Sequence, residues 1–129
     1  MIVVDASAVL EVLLQTSMAS NVSRRIFRAG ETLHAPHLLD VEVAQVLRRY
    51  ARAGVISANR GAEALTDLAD LPLNCYPHFV LLPRIWQFRH NVTAYDAAYL
   101  ALAEALDAPL LTRDRALASV GARVPVEVV

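Results

Sequence analysis

The sequence predicts an α/β fold, a three-layer α/β/α arrangement around a central, mainly parallel sheet. Two observations carry that prediction. Short strand-like runs at 2–5, 32–35, 73–76, 109–112 and 124–129 are each separated by stretches with helical apolar spacing, and strands alternating with helices form βαβ units. No repeat, low-complexity run or linker interrupts the alternation, and every connection is short, so 1–129 is expected to be a single domain.

In chain order, the β-branched run at 2–5 is followed at once by Ser7 and by Val9, Leu10, Leu13 and Leu14 at helical spacing, a strand then a helix. A second helix over 18–29 stops at Gly30, and a strand at 32–35 closes at Pro36. From His37 the pattern Leu38, Val41, Val43, Val46, Leu47, Tyr50 makes a long amphipathic helix ending at Gly54. Ser57 caps a helix through Leu71, Pro72 breaks it, and a weaker strand covers 73–76. One helix is expected over 79–90, with Pro83 in its first turn. Thr93 caps the next, whose buried stripe is Tyr95, Ala98, Tyr99, Leu102, Ala105 and Leu106. A buried strand at 109–112, a short helix at 114–120 stopped by Gly121, and a last strand at 124–129 complete the chain.

Composition narrows the chemistry. All 12 cationic residues are Arg and none is Lys, which excludes a P-loop lysine, a Schiff-base lysine and the lysine of a receiver domain. Cys75 is the single cysteine, so no intramolecular disulfide, redox pair or cysteine zinc site is available. Asp5 and Glu11 interrupt the apolar N-terminus, which lacks a basic leader; a cytoplasmic protein, mature from its first residue and without a membrane span, is the expectation. A formal charge of −1 gives no broad field for nucleic acid, but leaves room for local arginines beside an acidic pocket.

Four carboxylates fall where an open parallel sheet binds ligands, beyond the C-terminal ends of its strands. Asp5 closes the first strand and Asp114 follows the fourth. Glu42 sits in the second turn of the long helix, and Asp96 in the first turn of the Thr93 helix. Taken singly, Asp5, Asp96 and Asp114 are also natural helix caps. Converged without a cation they would repel one another strongly, so convergence implies a bound divalent ion. An all-carboxylate set selects a hard cation, Mg²⁺ or Mn²⁺, which activates water and neutralises charge on a phosphoryl oxygen. Ser7 and Thr112 place hydroxyls beside Asp5 and Asp114 as supporting groups.

The opening Ile-Val-Val-Asp5-Ala-Ser7-Ala, the block from Ala35 to Arg49 around Glu42, and the block Thr93-Ala-Tyr95-Asp96-Ala97 running on to Thr112-Arg113-Asp114 together resemble PIN-domain ribonucleases. The short length and the Tyr-Asp-Ala motif look most like the VapC toxins of bacterial toxin–antitoxin pairs. The resemblance spans nearly the whole chain. It implies a metal-dependent endoribonuclease hydrolysing RNA phosphodiester bonds, with Asp5, Glu42, Asp96 and Asp114 as the acidic metal-binding quartet. It also implies a homodimer and a small antitoxin partner whose tail blocks the site. Gln45 stands where the helix motif commonly carries Asn, and Ala116 where some members carry a further acid. A non-catalytic PIN-like binding module is the alternative reading.

Of the arginines, Arg113 and Arg115, flanking Asp114, are the candidates for substrate phosphate. His34, His37, His78 and His90 have no ligand arrangement and receive no catalytic role. A mean hydropathy of +0.38 exceeds what so small a domain readily hides. The segment 79–86 and one face of the 18–29 helix are therefore expected to meet a partner or a second copy.

Overall fold

The computed structural model describes residues 1–129. Five strands form one sheet in the order β3-β2-β1-β4-β5, and every neighbouring pair is parallel. The strands are β1 (Ile2–Val4), β2 (Leu33–Pro36), β3 (Leu73–Tyr76), β4 (Leu110–Thr112) and β5 (Val126–Val128). The helices are α1 (Ala6–Leu13), α2 (Ala19–Ile26), α3 (Leu38–Arg52), α4 (Ala58–Asp70), α5 (Leu82–Gln87) and α6 (Ala94–Leu106). Strand order reverses between β1 and β4, so the switch point at which such sheets bind ligands lies between the ends carrying Asp5 and Asp114.

Helices α1 to α4 pack against one another, while α6, with α5 beside it, packs across β1, β2 and β4. The sheet is thus covered on both faces, and β1, β2 and β4 are buried throughout. Tyr95, 65% exposed, and Ala105, both expected in the buried stripe, lie at the ends of helix α6 and face outward, whereas its middle, from Ala97 to Ala103, is buried on every side. Its alanines explain this, because small side chains let the helix sit close to the sheet while Tyr99, Leu100 and Leu102 fill the space around it.

Local signals set the boundaries. The Ser57 hydroxyl accepts the Arg60 N–H at 3.0 Å and starts α4. Gly54, just beyond α3, has φ +75°, a left-handed turn that any Cβ would strain. The helix expected over 79–90 is two pieces, a 3₁₀ turn at Phe79–Leu81 and α5. Pro83 has no N–H for the preceding turn, so it opens a new helix. Likewise the helix expected at 114–120 is a 3₁₀ turn, Arg115–Ser119.

Polar ties hold the far end of the sheet. Arg25 of α2 donates through Nε and Nη2 to both oxygens of Glu127 on β5, at 2.6 and 2.9 Å, and through Nη1 to Glu31 at 2.9 Å. Glu31 also pairs with the terminal amine at 3.0 Å. His34, buried on β2, is bonded through its two ring nitrogens to Tyr76 at 2.6 Å and Thr32 at 2.8 Å, a structural role. No helix is long and apolar enough to cross a membrane.

Candidate active site

Asp5 begins the site because β1 ends there and α1 begins. Its backbone N–H donates to Leu111 O on β4 at 3.2 Å, which fixes the strand end beside its neighbour. Its Oδ1 accepts from the Ala8 N–H at 3.0 Å and from the Ser7 hydroxyl at 2.6 Å, and its Oδ2 accepts from the Thr112 hydroxyl at 2.5 Å. Capping and site chemistry therefore meet in one side chain: Asp5 is a helix cap and is also held rigidly at the switch point. Only 6% of it is exposed. Burial raises its carboxyl above the usual range, opposed by Ser7, Thr112 and Ala8 and reinforced by the charge of Asp114.

The other three acids arrive on separate elements. Thr93 caps α6 by accepting the Asp96 N–H at 3.2 Å, which sets Asp96 in the first turn of the helix. Burial lifts the Asp96 carboxyl, and the charges of Asp5 and Asp114 lift it further. Burial likewise raises Glu42, whose hydrogen bond from Tyr99 opposes the shift and whose neighbours Asp96 and Asp5 add to it. Asp114 follows β4; its N–H donates to Thr112 Oγ1 at 3.0 Å and its Oδ1 accepts from Ala116 N–H at 2.9 Å. The structure thus brings Asp5, Glu42, Asp96 and Asp114 within electrostatic reach at one edge of the sheet. No arginine pairs with any of them.

Four carboxylates without a cation form a donor set that fits a hard divalent ion such as Mg²⁺ or Mn²⁺. As they stand, no three of these side chains close on a single point. Asp5, Glu42 and Asp114 are each drawn to a protein donor, Thr112 and Ser7, Tyr99, and the Ala116 N–H respectively. Mutual repulsion favours this spread arrangement.

Ser7 and Thr112 do more than touch Asp5. Ser7 Oγ also accepts the Arg113 N–H at 3.0 Å, so the two hydroxyls tie the start of α1 to the end of β4. Thr112→Val keeps the shape of a fully buried side chain but removes the donor to Asp5 and the acceptor for Asp114 N–H. We expect a loss of about 1–3 kcal/mol in denaturant unfolding and a fall of about 10- to 100-fold in any metal-supported activity.

Two hollows flank the acids. The larger, about 700 Å³, lies between α1 and α3 and is lined by Glu42, Ser7, Gln45, Arg49 and Arg113 among the apolar side chains of Leu10, Leu38, Val41, Val46, Tyr50 and Tyr95. The smaller, about 480 Å³ and more polar, contains Asp96 and Asp114 together with Arg89, His90, Asn91 and Thr93.

Arg113 does not reach Asp114. Its Nε donates to Glu11 Oε1 at 3.2 Å, and its Nη1 donates to the Val129 carbonyl. Arg115 is exposed and makes no ion pair. Tyr99, expected only as part of a buried stripe, is a member of the site: its hydroxyl donates to Glu42 Oε1. Its spacing of three from Asp96 on one helix was the available signal, since such residues share a face.

Comparison with known proteins agrees with this architecture. The PIN domain model matches residues 2–123. Ribonuclease VapC9 of Mycobacterium tuberculosis is 46% identical over 130 residues, which cover 100% of this chain and 98% of that protein. Ribonuclease VapC1 of the same organism is 47% identical over 118 residues, covering 91% of this chain and 88% of that protein. Among solved structures, M. tuberculosis VapC20, described as a toxin that cleaves the sarcin–ricin loop, superposes with a TM-score of 0.74 at 12% identity, covering 95% of this chain and 96% of that one. VapBC2 of Rickettsia felis, bound to a DNA fragment from its promoter, gives 0.71 at 11% identity over 98% of each chain. With a family model spanning nearly all of its length and full-length relatives at this identity, the chain belongs to the PIN-domain family, in its VapC branch.

Proposed function

We propose that the chain is a Mg²⁺- or Mn²⁺-dependent endoribonuclease, the toxin of a toxin–antitoxin pair working in the cytoplasm. The observation that carries this reading is that four elements bring four carboxylates to the switch-point edge, near enough for neighbouring charges to raise one another's carboxyls, with no arginine paired to any of them. Full-length relatives named ribonucleases support the choice of RNA.

Asp5, Glu42, Asp96 and Asp114 would hold the ion, which when bound supplies a Lewis acid for the phosphoryl oxygen and a more acidic water. The protein's own part is positioning. Ser7 and Thr112 fix both oxygens of Asp5, and Tyr99 orients Glu42 by donating a hydrogen bond to it. Tyr99 stays a donor because burial and the carboxylates beside it hold its phenol well above the ordinary range. Arg115, free beside Asp114, is the better placed of the two flanking arginines for substrate phosphate.

Incubating the purified protein with single-stranded RNA and Mn²⁺ or Mg²⁺ tests the reading. Internal cleavage that stops with EDTA is the expected result, whereas RNA binding without cleavage in either ion would favour the non-catalytic module.

The antitoxin fits the larger hollow, whose apolar walls suit a protein segment and whose Glu42 end accepts a cationic side chain. The expected homodimer has one well-supported surface. Phe79, Val80, Leu82 and Trp86 are 77, 76, 46 and 67% exposed, a patch of the kind that marks association. In the 18–29 segment Ala19, Val22 and Ile26 are already buried in the domain, which leaves Phe27, 53% exposed, as its large outward apolar side chain. Light scattering is expected to return a dimer for the native chain and a monomer for Phe79→Glu; a native monomer across a wide concentration range removes the dimer.

A further inference from the structure

The lining of the smaller hollow joins two opposite chemistries. Asp96 and Asp114 make its acidic wall, and the turn Arg89, His90, Asn91 between α5 and α6 lines the same hollow. Backbone bonds build that turn: Asn91 N–H and Val92 N–H both donate to Phe88 O, at 2.9 and 3.2 Å. The side chains of His90 and Asn91 are exposed and make no hydrogen bond within the protein. Arg89 is held in place without being neutralised. Its guanidinium lies 4.9 Å from the Trp86 ring centroid, and its Nη1 donates to the Trp86 carbonyl at 3.0 Å. No carboxylate pairs with it, and Nε and Nη2 stay open.

We propose that the Arg89-His90-Asn91 turn is a second substrate-contact element, which grips the RNA backbone next to the nucleotide whose phosphodiester bond is cut. This rests on the ribonuclease reading given above. The acidic wall alone repels a polyanion, and a substrate held only through an ion at the acids would have no fixed direction. A pre-placed guanidinium in the same hollow supplies both attraction and polarity of the strand, and the amide and imidazole offer donors to phosphate or sugar oxygens. The contrast between the hollows selects RNA here over protein: this one is small and polar, the other large and apolar. Arg113, beside Asp114 in sequence, is already engaged by Glu11, which leaves Arg89 as the unpaired arginine lining the smaller hollow, while Arg49 lines the larger one.

Steady-state cleavage of a labelled single-stranded RNA oligonucleotide in Mn²⁺ tests the proposal. Arg89→Ala is expected to raise KM about tenfold with kcat within about twofold, and to reduce the slope of log affinity against log salt by about 0.7, one phosphate contact on a single strand. Asn91→Ala should raise KM about threefold. Arg48→Ala, which removes the same charge from an exposed site on α3 outside both hollows, should change KM less than twofold. An unmoved KM in Arg89→Ala, or an equal effect of Arg48→Ala, overturns the proposal. So does loss of the dimer in Arg89→Ala with KM unchanged, which would make the turn a subunit contact. Binding of the same oligonucleotide separates the two claims. If the native protein does not cleave but Arg89→Ala still weakens binding tenfold, the ribonuclease reading fails and the contact stands. If cleavage proceeds with KM unmoved, the reverse holds.

Discussion

Asp5→Asn is expected to lower RNA cleavage at least about 10³-fold while leaving the fold intact. The two halves of that result have separate causes. Asparagine keeps an oxygen in the Oδ1 position, so the Ala8 N–H and the Ser7 hydroxyl retain their acceptor and α1 keeps its cap. At Oδ2 the amide nitrogen faces the Thr112 hydroxyl, which must turn to accept instead of donate. The shape survives, but the buried negative charge at the switch point is gone. A circular dichroism melt within a few degrees of the native protein, beside an activity at background, is the pattern to look for. Cleavage retained within tenfold would show that Asp5 is a helix cap and nothing more.

A divalent ion is expected to stabilise the protein, by about 2.7 kcal/mol at one hundred times its dissociation constant, and Asp96→Asn is expected to reduce that gain while stabilising the metal-free form. The sign follows from the raised carboxyl of Asp96. Its folded pKa lies above the unfolded value of 3.8, because of burial and the charges of Asp5 and Asp114. The folded state therefore prefers the protonated form. That contribution to stability is complete below pH 3.8 and is lost as pH rises through the folded value. At neutral pH the metal-free native chain bears the repulsion, and asparagine removes it. In EDTA, the difference in Tm between Asp96→Asn and the native protein should be positive at pH 7 and shrink toward pH 4. A difference independent of pH would mean that Asp96 does not share charge with the other acids.

Much of this was legible in the sequence because the signals were local. Asp5, Ser57 and Thr93 each cap the helix that follows, and the short strand runs alternate with helices, so both the parallel sheet and the edge on which the acids meet followed from order alone. What escaped depended on contacts between distant segments. The bond from Tyr99 to Glu42 joins α6 to α3 across 57 positions, and an apolar-spaced tyrosine on a buried helix reads simply as core. Arg113 looked like a phosphate ligand from its place beside Asp114, yet Glu11 lies 102 positions away and nothing local announces that pair. The break between the 3₁₀ turn at Phe79–Leu81 and α5 is a different case: Pro83 was visible, but whether a proline opens a helix or merely occupies its first turn depends on packing around it.

The central claim is that Asp5, Glu42, Asp96 and Asp114 hold a divalent ion, and a crystal structure of the protein soaked with Mn²⁺, read by the anomalous signal of the metal, tests it most directly. The expected result is a peak between the C-terminal ends of β1 and β4, ligated by Asp5 and at least one more of these acids and absent in Asp5→Asn crystals soaked alike. Saturating Mn²⁺ that leaves this edge empty in the native protein, or that binds only elsewhere, would contradict it.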